Sequence, residues 1–148
     1  MYWTGIAVDR VFPERDVQQA WARALQLPVD AVAVIDDFGD ADPWVDDRVQ
    51  FAVERRIAAG EFPLRLALVI GHETLDAQVQ ADSATLAAVQ RFCAELGCRA
   101  LIAIEDEDPS AWVLVTPTER LRIADYDPDD EAAKIDEAIA EALAVAVS

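Results

Sequence analysis

Three runs of acidic residues are the part of this sequence with the clearest chemical potential. The first run lies within residues 36–47, the second within 105–108, and the third begins at residue 125. Carboxylates attract the Arg and Lys side chains of other proteins, and they are also the oxygen ligands that Mg²⁺ prefers. The candidate residues of the three runs are Asp36, Asp37, Asp40, Asp46, Asp47, Glu105, Asp106, Glu107, Asp108, Asp125 and Asp127.

Aromatic residues accompany each acidic run. Phe38 and Trp44 lie in the first run, Trp112 follows the second, and Tyr126 is part of the third. Aromatic side chains ringed by carboxylates suit an Arg- and Lys-rich partner, because they add packing and cation–π contacts to the ion pairs. We therefore predict these four residues as anchors for a partner. The alternative is that Trp44 and Trp112 belong to the core.

Two structural explanations compete with a binding role for the acids. Asp42, Asp46 and Asp47 lie at the start of a predicted helix, as do Asp127 and the acids after it. Negative charge is favourable there because it complements the helix dipole. Adaptation to concentrated salt would also raise the acidic content, but it would spread charge over the whole surface.

The charge balance limits the class of partner. The 148 residues include 29 Asp and Glu but only 12 Lys and Arg, which gives a formal net charge of -17. Nucleic acids and anionic lipids bind through Lys and Arg, so neither is an expected partner. The sequence shows no apolar segment long enough for a membrane span and no signal peptide, so we expect a cytoplasmic protein. Arg far outnumbers Lys, which favours a bacterial source.

Several catalytic motifs are absent from the sequence. It contains no glycine-rich phosphate loop and no nucleophile-elbow pattern, and His72 is its only histidine. We expect His72 to be a loop residue that follows a strand. Cys93 and Cys98 are the only cysteines, and their spacing indicates two reduced, buried side chains. Together, these features favour binding over catalysis and indicate no required cofactor.

The hydrophobic pattern predicts one α/β or α+β domain over residues 1–148. We expect a mixed sheet of about six strands with helices packed on it, in the order βαβαβα, followed by an antiparallel ββ meander and a C-terminal helix. The predicted strands are Tyr2–Val8, Ala31–Ile35, Leu64–Ile70, Leu101–Ile104, Trp112–Thr116 and Arg120–Ala124. The fully apolar strands at 31–35 and 101–104 are expected in the centre of the sheet, and Arg120–Ala124 near an edge.

Four helices are expected, three between these strands and one after the last strand. They cover Pro13–Leu27, a segment from Asp42 to Gly60, a segment from Asp82 to Gly97, and a final segment that begins at Asp127-Pro128. The core face of the second helix would carry Val45, Val49, Ala52, Val53 and Ile57.

The two apolar strands also suggest a metal site. If they are parallel neighbours, the acids that follow them would meet at the carboxyl edge of the sheet. Such a cluster would favour a Mg²⁺-dependent phosphoryl-transfer enzyme or hydrolase. Its ligands would be Asp36, Asp37, Glu105, Asp106 and Asp108.

The leading expectation is an acidic module that binds a basic protein. An immunity or inhibitor protein that neutralises a basic, nuclease-like toxin has this charge and this lack of catalytic groups. The Mg²⁺ enzyme is one alternative. Another is a subunit of a homo-oligomer such as a homodimer, paired through the strand Arg120–Ala124.

Overall fold

One seven-stranded sheet organises the backbone in the computed structural model, which describes residues 2–39, 42–79, 82–103 and 111–147. Four α-helices and two short 3-10 turns accompany it in this part of the chain. The elements are β1 (Tyr2–Val8), α1 (Glu14–Ala24), a 3-10 turn (Val29–Ala31), β2 (Val32–Ile35), a 3-10 turn (Pro43–Val45), β3 (Phe51–Ile57), β4 (Leu64–Ile70), α2 (Glu73–Val79), α3 (Asp82–Leu96), β5 (Ala100–Ala103), β6 (Trp112–Val115), β7 (Arg120–Ile123) and α4 (Ile135–Val147).

The strands are arranged in the order β2-β3-β4-β1-β5-β6-β7. Only β2 and β3 are parallel, and every other neighbouring pair is antiparallel. The prediction of a mixed sheet with packed helices is therefore confirmed, with one strand more than expected. The antiparallel meander β5-β6-β7 and the edge position of β7 are also confirmed. The alternating order βαβαβα predicted for the first half is typical of parallel units, but its described strand pairs are antiparallel except for β2 and β3.

The extra strand is β3, and the prediction of a helix from Asp42 through residues 51–57 is wrong. Phe51 and Val53 are fully buried, whereas Ile57 is 55% exposed. The predicted helix would have buried both Val53 and Ile57 on its core face, whereas β3 is buried at its start and exposed at its end. β3 pairs with β4 along its whole length. Ladder pairing with two neighbouring strands therefore outweighs the helical spacing of the apolar residues.

The position of β2 also differs from the prediction. This strand is at the edge of the sheet, and β3, β4 and β1 separate it from β5. Its side chains from Ala33 to Ile35 are only half-buried. The Gln18 amide of α1 donates a hydrogen bond to the carbonyl of Val32, 2.8 Å away, and so satisfies an acceptor of this edge strand. A fully apolar run can therefore belong to an edge strand when a helix and a loop flank that strand.

The first face of the sheet is covered by α1, α2 and α3, which enclose the larger core. Trp21 of α1 is fully buried and stacks on Phe92 of α3, with 4.4 Å between the ring centroids. Trp3 and Phe51 pack against Trp21 from the sheet. The apolar stripe of α1, which includes Val17, Ala20 and Ala24, is buried here.

The second face of the sheet is covered by α4 over its β5-β6-β7 end. Ile135 and Ala138 pack there with side chains from these strands. The helix starts at Ile135 and not at Asp127-Pro128, because the Glu61 carboxylate accepts a hydrogen bond from the Ile135 amide at 2.6 Å. Residues 127–134 instead form turns. A carboxylate distant in sequence thus sets the start of this helix.

Smaller predictions are resolved by the same structure. Cys93 and Cys98 are free and buried, and their mutual hydrogen bond together with burial raises the pKa of the Cys93 thiol. His72 lies in a loop after β4, where its Nδ1 accepts a hydrogen bond from the Thr74 amide at the start of α2. None of the helices in the described ranges is long and apolar enough to cross a bilayer.

The assignment of β3 predicts different costs for two truncations. Val53→Ala removes two buried methyl groups, so it should lower the free energy of unfolding by about 2 kcal/mol. Ile57→Ala removes atoms that are mostly in water already, so its cost should stay within about 0.5 kcal/mol. Urea unfolding of the two variants measures both. Equal large losses would instead support a helix that buries both side chains.

Candidate functional site

The connection between β2 and β3 carries the first acidic run along one edge of the sheet. Asp36 and Asp37 directly follow β2 and are exposed. Asp36 Oδ1 lies 4.0 Å from Arg55 Nη1, and Asp37 Oδ1 accepts a hydrogen bond from the Gly39 amide. Desolvation, together with the neighbouring Asp36 carboxylate as a hydrogen-bond acceptor and a like charge, raises the pKa of Glu14. Negative charge is therefore concentrated at the carboxyl end of β2.

An exposed apolar turn, Trp44-Val45, follows in the same connection. Asp42 Oδ1 accepts a hydrogen bond from the Trp44 amide at 2.9 Å, which caps the 3-10 turn. The Trp44 ring lies directly over Gly71, where a side chain would overlap it. Trp44 nevertheless remains 37% exposed, and Val45 is 78% exposed. The turn is thus held from both sides while it presents an apolar surface to solvent.

Ion pairs fix the other end of the connection. Arg48 pairs with Asp46 at 2.9 Å and with Asp30 at 3.3 Å. Hydrogen bonds from Arg48 lower the pKa of Asp46 to about 2. Asp47 is exposed and has no partner among the described residues. The carboxylates of Asp42 and Asp46 therefore stabilise the local backbone through hydrogen bonds. Those of Asp36, Asp37 and Asp47 are mostly exposed to solvent.

The remaining members of the first run have different positions. Phe38 is half-buried, and its amide donates a hydrogen bond to Glu54 Oε2 at 3.0 Å. Its ring is therefore partly available. Asp40 lies outside the described residues. We call the exposed part of this region, formed by Asp36, Asp37, Phe38, Trp44, Val45, Asp46 and Asp47, the acidic edge.

The aromatic residues of the other two runs are less accessible than we predicted. The Tyr126 ring is 3% exposed, packs edge-on against Phe62, and its hydroxyl donates a hydrogen bond to Glu61. Burial raises the pKa of Tyr126 to about 12. Trp112 is half-buried, and its indole N–H donates to the Tyr126 carbonyl. The prediction of Tyr126 as an exposed anchor is therefore wrong, because its ring belongs to the core under α4.

The acids of the third run mainly shape turns. Asp125 is exposed and has a positive φ of 55°. Asp127 Oδ1 accepts a hydrogen bond from the Asp129 amide, and Asp129 forms an ion pair with Arg65 at 2.7 Å. Both Asp125 and Asp127 keep exposed carboxylates, but Tyr126 between them points inward. This run has no exposed aromatic residue like Trp44.

The structure does not make β2 and β5 parallel neighbours, as the Mg²⁺ site required. β2 and β5 are antiparallel and far apart in the sheet, so Asp36 and Asp37 lie at the opposite edge from the end of β5. The topological premise of the Mg²⁺ site is therefore wrong. No group of three or more metal-ligating side chains occurs in the described ranges. Glu105, Asp106, Glu107 and Asp108 lie outside them, so the role of these four residues stays a prediction.

Sequence reasoning missed Glu54, Arg56 and Arg65, which lie on one face of β3 and β4. It placed residues 51–57 on a helix, so Arg56 and Arg65 had no reason to be neighbours. The sequence did contain a signal for this strand, because the apolar residues Phe51 and Val53 alternate with smaller or charged residues, which is typical of strands.

Comparison with known proteins adds no family to these observations. No protein-family model matches the chain, and no match is found among curated proteins or solved structures. The chemistry of the surface therefore carries the functional inference.

The Asp46–Arg48 pair predicts an acidic titration. Because its folded-state pKa lies near 2 and not at the ordinary 3.8, the pair stabilises the fold above pH 3.8 and loses this contribution as the pH falls through 2. Arg48→Gln should return the pKa of Asp46 towards 3.8. Carboxyl carbon NMR titration of both proteins measures the shift. An Asp46 pKa that is the same in both proteins would contradict the assignment.

Proposed function

We propose that this protein is an acidic protein-binding module that engages a cationic protein through the acidic edge. The observation that carries the proposal is the exposed Trp44-Val45 turn among the carboxylates of Asp42, Asp46 and Asp47. Aromatic anchors at the centre of a polar rim are the usual energetic core of a protein interface. The acidic edge has both parts, an apolar centre and a charged rim.

The rigidity of the Trp44-Val45 turn supports an anchoring role. Asp42 caps the turn, and the Trp44 ring rests on the backbone of Gly71. A side chain that is already held in place loses little conformational freedom on binding, so more of its contact energy appears as affinity. Apolar side chains that served only the fold would be more deeply buried than Val45.

The exposed carboxylates of the acidic edge support a cationic partner. Asp36, Asp37 and Asp47 are exposed, and in the described part of the chain only Arg55 lies within ion-pair distance of Asp36. Such charges speed the encounter with an oppositely charged protein and repel nucleic acids and anionic surfaces. The proposal therefore specifies a protein rich in Arg and Lys, and no nucleic acid or membrane.

A biological setting consistent with this chemistry is the inhibition of a basic enzyme. An immunity or inhibitor protein in the cytoplasm of a bacterium would neutralise a basic, nuclease-like toxin by occupying the cationic surface that the toxin uses for nucleic acid. The formal charge of -17 supports this form of mimicry.

A peptide library displayed on phage, selected against the immobilised protein, tests the anchoring role of Trp44. We expect the selected peptides to combine Arg and Lys with an apolar residue. Trp44→Ala should weaken their binding by about tenfold or more, mainly through faster dissociation. Leu143→Ala is the matched control, because Leu143 is also a large, exposed apolar residue but lies on α4. Enrichment of neutral peptides, or equal losses in both variants, would overturn the proposal.

The charges of the acidic edge predict an effect on association. The double variant Asp36→Asn/Asp37→Asn should slow the association of a selected cationic peptide by about threefold at low salt, and the difference should shrink as salt is added. Glu119→Gln/Glu131→Gln removes the same charge from two exposed positions outside the acidic edge and serves as the control. Surface plasmon resonance measures both rates. If the two double variants associate equally fast, the acidic edge is not the binding surface.

A further inference from the structure

The second face of the sheet contains an open cavity beside the region that α4 covers. Its volume is about 390 Å³, within the range of about 300–1,000 Å³ that is typical of small-molecule sites. Gly5 of β1, Ala67 of β4 and Ala103 of β5 line it from three neighbouring strands. Their small side chains leave a shallow floor on which an apolar ring can lie close to the backbone.

The walls of the cavity combine one aromatic side chain with charged ones. Trp112 lies at the β6 side, and its orientation is fixed because its N–H donates to the Tyr126 carbonyl. Glu54 and Arg56 lie at the β3 side, with Arg65 beside them on β4. Apolar lining with a few charged groups is the usual composition of a ligand site.

Two arginines lie side by side on the wall formed by β3 and β4. Arg56 and Arg65 are direct cross-strand partners. Like charges in this position are destabilising unless they are neutralised. Arg65 is neutralised, because it pairs with Asp129 and donates to the carbonyls of Phe62 and Pro128.

Arg56 is not neutralised in the same way. It is exposed at the cavity, and none of the described residues accepts a hydrogen bond from it or forms an ion pair with it. The neighbouring Glu54 instead accepts the Phe38 amide. A guanidinium offers five donors in a planar fork that matches a carboxylate or sulfonate. Arg56 is therefore the arginine of this wall that has no described counterion, and its guanidinium can pair with an anion.

We propose that this cavity binds a small anionic molecule with a flat apolar body. The body rests on the floor of Gly5, Ala67 and Ala103 beside Trp112, and the carboxylate or sulfonate pairs with Arg56. The site is distinct from the acidic edge, because none of the acidic-edge residues lines it, although Glu54 of its wall accepts the Phe38 amide. It adds a small-molecule ligand to a protein whose proposed partner is another protein.

Fluorescence titration with two related dyes tests the proposal. Anilinonaphthalene sulfonate has an aromatic body and an anionic group, and phenylnaphthylamine has the same aromatic body without the charge. We expect saturable binding of the anionic dye at one site. Arg56→Gln should weaken its affinity by about tenfold and leave the neutral dye nearly unchanged. Ala67→Leu fills the floor, so it should weaken both dyes.

Matched controls separate the cavity from general charge and from unfolding. Arg15→Gln removes the charge of another exposed arginine that has no described partner, on α1 outside the cavity, and it should not change the affinity of either dye. Near-UV circular dichroism checks that each variant is folded, because loosely packed states also bind the anionic dye. If Ala67→Leu is unfolded, Ala103→Leu replaces it, since Ala103 is exposed.

Three results would overturn the proposal. The first is the absence of saturable binding of the anionic dye to the folded protein. The second is an equal loss of affinity in Arg56→Gln and Arg15→Gln, which would indicate general charge attraction. The third is unchanged binding of both dyes when a folded leucine variant fills the floor.

Discussion

The uneven cover of the two sheet faces is the constraint on which the rest of this structure depends. Three helices bury the first face, and this face holds the aromatic core around Trp21. Among the described residues, one helix, α4, covers part of the second face. The uncovered part must tolerate water, and it does so with alanine, glycine and charged residues in place of large apolar ones. The same imbalance opens the cavity beside Trp112.

The sequence predicts strands and helices well where the local hydrophobic pattern fits only one type of secondary structure. The strict alternation from Leu64 to Ile70 belongs to a strand, and β4 has those limits. The pattern from Asp42 to Ile57 is ambiguous, since its apolar residues fit a helical period and its second half also fits a strand. Pairing with strands remote in the chain decides between them. The start of α4 depends likewise on Glu61, which no local pattern connects with Ile135.

The candidate site was predictable in its composition but not in its geometry. The acidic run and Trp44 are visible in the sequence, yet only the structure distinguishes the exposed Trp44 from the buried Tyr126. The difference arises from tertiary contacts, because α4 folds over Tyr126 whereas Trp44 rests on a glycine at the end of a strand. Tertiary contacts also decide the surroundings of the arginines. Whether an arginine such as Arg65 is neutralised depends on a segment distant in sequence.

The central position of β1 has a consequence for how the chain reaches this structure. Val8 pairs with Leu64 on one side and with Ala100 on the other, so the first strand has no partner close to it in sequence. Folding must therefore close long loops before the sheet gains its middle strand, which is the property of slowly folding topologies. During synthesis, β1 remains unpaired until β4 and β5 have been synthesised. The high negative charge of the chain would help to keep this intermediate from aggregating.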